Sequence, residues 1–263
     1  TMAKVLIKEL QSYKKQYAVP RKTLIDNLEE AVVEEKKIEE MDVVFLMDRF
    51  GYAKTVDVSV YERNKEAADT ENRYILTCKN TDKICIFTNK GQMHLLKVLD
   101  LPYGKFRDKG IPIDNLSNYN SSEENFIYII NLGAIIHSRL LFGTKTAMLK
   151  MVDGSEFDVA KRTTASTKLN EDDELLIVHA MTGEETVVMQ SEKEMFLRIE
   201  ASTIPEKKKG AVGVRGMKLN AGDALSNIYV LDGESEQTVE VKGKEVVLNR
   251  LRVGNRDTKG TKR

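Results

Sequence analysis

The chain has 263 residues, of which 41% are hydrophobic and 31% charged, and its 41 Lys and Arg balance 41 Asp and Glu to a net charge of zero. This balance is typical of a folded globular protein and excludes disorder over most of the chain. No apolar run is long enough to span a membrane, and the first residues lack the features of a signal peptide. We therefore expect a cytoplasmic protein without membrane contact.

The first predicted element is a helix. The stretch "AKVLIKELQSYKKQYA" places apolar side chains at helical spacing, and the pattern stops before Pro20. The Glu-rich stretch that follows, "TLIDNLEEAVVEEKKIEEM", is either partly helical or an extended charged connector. We expect a helical linker over residues 1–40 and a second domain over residues 41–263.

After residue 41 the chain consists of short β-branched and aromatic runs separated by turn residues. One pattern, a strand end, a tight turn and an alternating strand, occurs in "MDRFGYAKTVDVSVYE", "FTNKGQMHLLKVLDLP", "FGTKTAMLKMVDGSEF", "MQSEKEMFLRIEASTIP" and "VEVKGKEVVLNRLRV". The turn residues are Gly51, Gly91, Ala147, Glu194 and Gly243, spaced by 40, 56, 47 and 49 residues. This period fits one small four-stranded sheet per repeat.

A second landmark repeats at a similar period. The stretches "KFRDKGIPIDNL", "TTASTKLNEDDELL" and "GVRGMKLNAGDAL" place Leu116, Leu169 and Leu219 at spacings of 53 and 50. A single unit of this size cannot bury both of its faces, so neighbouring units must stack, as the blades of a propeller do. A non-repetitive pair of β-sandwiches with ordinary hairpin turns is the alternative.

The charges are unevenly distributed along the chain. Residues 29–40 contain six Glu and two Lys, whereas residues 207–218 contain five basic residues and no acid. Residues 249–263 contain six basic residues and one Asp. This segregation indicates a basic surface that faces a partner, with solvated loops and a charged tail as an equally good interpretation.

Three stretches resemble the repeats of a known family. They are "DRFGYAKTVDVSVYE", "ICIFTNKGQMHLLKVLDLP" with the following "KFRDKGIPIDNL", and "GAVGVRGMKLNAGDAL". They are similar to repeats in the C-terminal domain of bacterial type IIA topoisomerase A subunits, the domain shared by DNA gyrase and topoisomerase IV. The lead-in "SYKKQYAVPRKTLI" is similar to the segment that joins this domain to the breakage-reunion core, so the resemblance covers nearly the whole chain.

The resemblance implies a mainly β fold, a propeller-like β-pinwheel of about five four-stranded blades preceded by the helical linker. The domain would bend or wrap duplex DNA around a basic rim. The complete enzyme would be an ATP-hydrolysing type IIA DNA topoisomerase that contains a homodimer of A subunits together with an ATPase B-type subunit. ATP, Mg and the catalytic tyrosine would belong to other parts of that enzyme, so we expect no cofactor, metal or catalytic residue in this chain.

One departure from the family separates its two branches. Gyrase A subunits carry a Gln-Arg-Arg-Gly-Gly-Lys-Gly box in the first blade, which drives tight positive wrapping. The corresponding stretch here, "VYERNKEAADTENRY", contains no glycine. A loop without glycine closes less readily onto phosphates, so a topoisomerase IV-like subunit is preferred over a gyrase A subunit without the box.

Phosphate contacts from repeated basic loops would suit a partner whose charge also repeats. No recognition helix and no row of stacking aromatics is visible, which disfavours sequence readout and single-strand binding. The predicted DNA-binding residues are Lys54, Lys90, Lys105, Arg107, Lys109, Lys161, Arg162, Lys207, Lys208, Lys209, Arg215, Lys218, Arg250, Arg252, Arg256 and Lys259.

Other functions have weaker support in the sequence. "NRYIL" resembles the Arg-Tyr pair of strand cleavage only superficially, because Tyr74 begins a strand and lacks acidic metal-binding surroundings. Cys78 and Cys85 are expected to face each other across a two-residue hairpin as buried thiols, and the scattered histidines fit no metal site. A β-propeller that binds another protein and has no DNA role remains the alternative, and a propeller enzyme is disfavoured.

Overall fold

A computed structural model describes residues 2–20, 22–23 and 38–263. The chain divides into two units, Thr1–Ile38 and Glu39–Arg263. In the first unit, α1 spans Met2–Tyr17 and none of its residues is buried. Its end before Pro20 is as predicted, because proline disfavours helical geometry at the residue that precedes it. Most of the Glu-rich stretch predicted to be helical or extended lies outside the described residues.

The second unit is built from short strands. The strands are β1 Asp42–Asp48, β2 Tyr52–Asp57, β3 Asn72–Lys79, β4 Lys83–Thr88, β5 Gln92–Lys97, β6 Ile111–Pro112, β7 Phe126–Asn131, β8 Arg139–Thr144, β9 Met148–Asp153, β10 Thr163–Ala165, β11 Leu175–Met181, β12 Thr186–Ser191, β13 Met195–Glu200, β14 Val214–Arg215, β15 Leu225–Leu231, β16 Thr238–Val241, β17 Lys244–Val247 and β18 Thr261–Lys262. The helices are α2 Val58–Arg63, α3 Lys65–Glu71 and α4 Leu132–Ile135.

Four repeats form four-stranded antiparallel sheets, or blades, with one common strand order. The orders are β3-β1-β2-β6 in blade 1, β7-β4-β5-β10 in blade 2, β11-β8-β9-β14 in blade 3 and β15-β12-β13-β18 in blade 4. The predicted β-pinwheel fold is therefore confirmed. The fifth repeat departs from the prediction of four strands: in the described part of the chain, blade 5 is the two-stranded hairpin β16-β17.

The last strand of each four-stranded blade comes from farther along the chain. In blade 1, β6 pairs with β2 although the β4-β5 hairpin of blade 2 lies between them in sequence. The same exchange adds β10, β14 and β18 to blades 2, 3 and 4. In sequence, the last strand of each blade therefore follows the central hairpin of the next blade. This exchange links consecutive blades.

The five aligned turn residues occupy equivalent positions. Each lies at the tip of a blade's central hairpin with a left-handed backbone, at φ values of 85°, 69°, 62°, 64° and 76°. Ala147 and Glu194 adopt this conformation without being glycine, at a cost of roughly 1 kcal/mol each. The spacing pattern in the sequence thus marks a real structural repeat.

The hydrophobic core is divided among the interfaces between blades. Separate buried clusters join blades 1 and 2, 2 and 3, 3 and 4, and 4 and 5. Their members from the two sides include Phe45 and Ile86, Phe87 and Phe142, Leu141 and Val187, and Phe196 and Val241. Both faces of a central blade are therefore apolar, as a stack of sheets requires.

The outward face of blade 1 is covered by α2 and α3. Val44 and Leu46 of β1 form a buried cluster with Ala68 of α3. The alternating "TVDVSVYE" favours a strand through this region, but a helix begins at Val58. The Asp57 carboxylate caps it by accepting a hydrogen bond from the Ser59 amide at 2.8 Å, and the apolar side chains that follow pack on the blade.

Blade 5 ends the stack differently. One face of its hairpin packs on blade 4, while Glu240, Lys244 and Glu245 are exposed. Closure of the last repeat against the strand near Val43 and an open end are both compatible with the sequence. Within the residues that the structure describes, no buried apolar cluster joins blade 5 to blade 1. A polar outer face on a terminal repeat prevents further stacking.

The two cysteines do not face each other, contrary to the sequence prediction. Cys78 lies on β3 in blade 1, whereas Cys85 lies on β4 in blade 2, and these strands do not pair. The intervening turn connects two blades and does not form a hairpin. Burial raises the pKa of Cys78 to about 11 and that of Cys85 to about 12, so both are buried thiols of low reactivity.

Candidate nucleic-acid interface

Four topologically equivalent loops carry most of the predicted DNA-binding residues. Each loop follows the short 3-10 turn after a blade's central hairpin and leads into the exchanged strand of the preceding blade. We call residues 101–110, 158–162, 204–213 and 251–260 basic loops 1 to 4. They contain Lys105, Arg107, Lys109, Lys161, Arg162, Lys207, Lys208, Lys209, Arg252, Arg256 and Lys259. The repeat therefore places one basic loop at each of four successive blades.

Two lysines of basic loop 3 differ in how far their side chains extend into solvent. Lys208 extends into solvent, with 87% of its side chain exposed and its ammonium 3.4 Å from Glu156. Lys209 folds back, since its amide donates to the Glu156 carboxylate at 3.0 Å and its ammonium to the Glu156 main-chain oxygen at 2.7 Å. Lys208 can therefore reach a phosphate without disturbing the loop, whereas Lys209 is anchored.

Basic loop 4 is tied to the exchanged strand of blade 3. Arg215 of β14 donates two hydrogen bonds to Asp257, at 2.5 and 3.1 Å, and this pairing lowers the pKa of the Asp257 carboxyl. Arg256 donates to the Arg215 main-chain oxygen at 3.0 Å. The Asp257 pairing reduces the positive charge that Arg215 presents, although both side chains remain exposed.

The remaining predicted residues lie outside the basic loops. Lys90, at the hairpin tip of blade 2, pairs with Glu174 at 3.0 Å. Arg250 pairs with Glu236 at 3.2 Å, and Lys218 is exposed beside basic loop 4, where its amide donates to the Thr258 oxygen. Lys54 points inward and donates to the main-chain oxygens of basic loop 1, at Phe106 and, at 2.9 Å, at Asp108.

Two further lysines are not among the predicted residues. Lys145, at the hairpin tip of blade 3, bonds to the other oxygen of Glu174 at 2.5 Å, and the Lys145 and Lys90 ammonium groups lower the pKa of that carboxyl. Lys150 is buried on β9. Lys145 could have been found from the alignment of turns, because it stands two residues before the turn residue Ala147, one position from where Lys90 stands in its own repeat.

The acidic turns have a structural role. Asp173 accepts hydrogen bonds from the Thr146 amide and hydroxyl, and Asp223 accepts one from the Ser191 hydroxyl. Each aspartate thereby fastens the strand that follows it to the hairpin tip of its own blade, in blades 3 and 4. Among the described residues, no three His, Cys, Asp or Glu side chains are grouped as a metal site would require.

Tyr74 packs as a strand tyrosine. Its ring lies on β3 against Phe126 at a centroid distance of 5.8 Å, with the Arg73 guanidinium 5.4 Å from the Tyr74 ring centroid. Burial raises the pKa of its hydroxyl. His94 is likewise engaged, since its imidazole bonds to Glu124 and Thr163 inside blade 2. In the part of the chain that the structure describes, no helix is long and apolar enough to cross a membrane.

Comparison with known proteins tests the resemblance. The family model described as "DNA gyrase C-terminal domain, beta-propeller" matches residues 138–179 and 185–232, which span the main strands of blades 3 and 4. The DNA gyrase A subunit of Lawsonia intracellularis is 27% identical over 277 residues, and that of Staphylococcus epidermidis is 29% identical over 274. Each alignment covers 97% of this chain. These matches confirm the resemblance to the C-terminal domain of type IIA topoisomerase A subunits.

Solved structures with the same fold include two topoisomerase domains and one gyrase domain. The crystal structure of the C-terminal domain of DNA topoisomerase IV has a TM-score of 0.76 at 22% identity, covering 85% of this chain and 73% of that one. The E. coli ParC C-terminal domain gives 0.69 at 15% identity, covering 84% and 94%. The DNA gyrase A C-terminal domain gives 0.56 at 17% identity, covering 84% and 76%. The chain spans about a third of the length of the gyrase A subunits, at 33% and 30%.

Proposed function

We propose that this chain is the non-catalytic domain that binds and bends duplex DNA in a bacterial type IIA topoisomerase. The observation that carries the proposal is the recurrence of one basic loop at equivalent positions in four successive blades. A repeated array of cations suits a polymer that carries a phosphate at regular intervals, and it needs no base-specific contact. Lys105, Lys161, Lys208 and Arg252 are the exposed representatives of the four loops.

The catalytic steps would take place elsewhere in the enzyme. ATP hydrolysis would belong to the B-type subunit, whereas Mg-dependent strand cleavage by the catalytic tyrosine would belong to the breakage-reunion core. The A subunits would form the homodimer, and this domain would hold a DNA segment close to it. The domain would thereby contribute to control of supercoiling and decatenation.

Within the family we favour the topoisomerase IV branch. The stretch that corresponds to the gyrase box contains no glycine and folds as α2 and α3, which cover the outward face of blade 1. A segment packed in this way is not available as a flexible loop that closes onto phosphates. The sequence relatives are gyrase A subunits, so a gyrase A subunit without the box is the second choice.

A specific observation favours one other function. The aromatic side chains of Phe50, Tyr52 and Tyr103 on blade 1 and basic loop 1 are exposed by 69%, 47% and 54%. Exposed aromatics are typical of surfaces that bind proteins. The second candidate is therefore a β-propeller that binds another protein and has no DNA role.

Binding to a duplex of about 40 base pairs, titrated with salt and combined with a bending readout, tests the proposal. We expect a steep salt dependence with bending, and a slope that falls by about 0.9 for each phosphate contact removed by Lys105→Glu, Lys161→Glu, Lys208→Glu and Arg252→Glu. Lys244→Glu, on the outer face of blade 5, is the matched control that leaves the slope unchanged. Failure to bind at low salt would leave the protein-binding function.

A further inference from the structure

Basic loop 3 is built around a buried cation. The Lys150 side chain rises from β9 in blade 3 and is 1% exposed. Its ammonium donates hydrogen bonds to three main-chain oxygens of the loop, at Lys208 (3.2 Å), Lys209 (2.8 Å) and Ala211 (2.8 Å). No carboxylate forms an ion pair with Lys150 in the described part of the chain. Loop carbonyls therefore accept its hydrogen bonds, while the Phe142 ring lies 5.5 Å from the ammonium and the Glu156 carboxylate attracts it without forming an ion pair.

The same arrangement occurs in blade 1. Lys54 stands three residues after the left-handed turn residue Gly51, as Lys150 stands three residues after Ala147. Its ammonium donates to the oxygens of Phe106 and Asp108 in basic loop 1. Two copies of one arrangement within a single chain argue against a chance contact.

The bonded carbonyls also correspond between the two loops. Both loops end in a glycine, Gly110 and Gly213, whose backbone crosses the main chain of the hairpin strand. The lysine bonds to the carbonyls four and two residues before this glycine in each case. In loop 3 these are Lys209 and Ala211.

The bonds fix the direction in which each loop presents its groups. The carbonyls of Lys208 and Lys209 both turn inward to the Lys150 ammonium, and in this loop conformation the Lys208 side chain is exposed to solvent while Lys209 folds back onto Glu156. Burial lowers the pKa of Lys150 to about 8, although the attraction of the Glu156 carboxylate opposes this shift. Removal of the ammonium would leave the Lys209 and Ala211 carbonyls without a donor and loosen the loop, whereas the Lys208 carbonyl would keep its bond from the Ala211 amide at 3.0 Å.

We infer that Lys54 and Lys150 are positioning residues that shape basic loops 1 and 3 for phosphate contact, and that they do not contact DNA themselves. The inference rests on the proposed DNA-binding function and concerns these two loops only. The equivalent position in blade 2 is His94, beneath a loop of five residues, and in blade 4 it is Leu197. Arg198 holds the chain near loop 4 through the Asn249 oxygen.

The test compares Lys150→Met with the wild-type chain in two measurements. Hydrogen exchange at the amides of residues 206–213 should accelerate by about tenfold or more, because the loop loses its central donor. The slope of log affinity against log salt for a duplex of about 40 base pairs should fall by about 2, since Lys207 and Lys208 are both misplaced. Lys150→Arg, which keeps a cationic donor, should recover most of the slope.

The controls separate loop shaping from other roles. Lys193→Met removes a lysine-carbonyl bond, to Ala221 at 2.8 Å, that lies outside the basic loops, so it should leave the salt slope unchanged. Lys54→Met repeats the test in basic loop 1, where the lysine is only half-buried, and it decides the matter if Lys150→Met does not fold. The exchange readout there is residues 104–110.

Two results would overturn the inference. Unchanged exchange in the loop with a slope lowered by about 1 would make Lys150 a direct phosphate contact. Unchanged exchange with an unchanged slope would leave it as a core residue without influence on binding. If the wild-type chain itself does not bind duplex DNA, the proposed function fails, and the exchange measurement alone then supports or overturns loop shaping.

Discussion

At the scale of single residues, the basic loops depend on glycine where they cross a hairpin strand. At Gly213 an added Cβ would lie 2.6 Å from the Leu149 oxygen, a distance that requires the backbone to move. Gly210, three residues earlier in the same loop, has no atom within 4 Å of its added Cβ. Position 213 therefore requires glycine because the two backbones approach closely, whereas position 210 has room for a side chain.

We predict that Gly213→Ala lowers the free energy of unfolding by about 1–3 kcal/mol, because the strand and the loop are forced apart. Gly210→Ala should change it by no more than about 0.5 kcal/mol, or raise it slightly by restricting the unfolded chain. Chemical denaturation of both variants beside the wild type measures the difference. Equal stability of the two variants would show that the crossing tolerates a side chain.

At the scale of elements, α2 and α3 take the place of a neighbouring blade. Every central blade buries both faces against other blades, but the outward face of blade 1 has only these two short helices. Ala68 is fully buried in that contact, whereas Ala67, the adjacent residue of α3, is exposed. The helical segment therefore serves as an end cap for the stack.

We expect Ala68→Asp to destabilise the second unit by about 3 kcal/mol or more, since it buries a carboxylate among apolar side chains. Ala67→Asp places the same group on the exposed side of the same helix and should cost less than about 0.5 kcal/mol. Thermal unfolding followed by circular dichroism distinguishes the two. Comparable destabilisation in both variants would mean that α3 does not cover the blade.

The elements also show where prediction from sequence ends. The five hairpin turns could be aligned correctly, including Ala147 and Glu194, because turn position follows from the alternation of the strands on either side. The exchanged strands could not be predicted: β6, with two residues, carries no periodicity, and its partner strand lies more than a whole hairpin away in sequence. The helix at Val58 was missed because its β-branched residues favour a strand until the cap at Asp57 and the packing of blade 1 are known.

The candidate site was partly predictable for the same reason. Basic residues that recur in equivalent loops can be identified from the repeat, and most of the predicted residues lie there. The sequence does not show which lysine and arginine side chains already form hydrogen bonds within the fold. Lys54 and Lys208 are the same residue type, yet one ammonium is held by loop carbonyls and the other extends into solvent.

At the scale of the second unit, stability is a sum of interfaces between neighbouring blades. Blade 3 has a buried cluster on each side, whereas blade 5 has one cluster, two strands and an exposed outer face. In repeat proteins of this kind a terminal unit can open without its neighbours. The chain nevertheless returns from blade 5 to add β18 to blade 4, so an opening at this end also loosens the outer edge of blade 4.

We predict that native-state hydrogen exchange proceeds in order along the stack. Amides of β16 and β17 should exchange about a hundredfold or more faster than those of β8 and β9, because opening blade 5 breaks one interface while opening blade 3 breaks two. Amides of β13 next to β18 should show intermediate protection, since their partner strand is released with blade 5. Mass spectrometry of peptides from the three regions measures these rates under one condition. Uniform protection across blades 3 to 5 would contradict the separability of the interfaces and indicate a single cooperative unit.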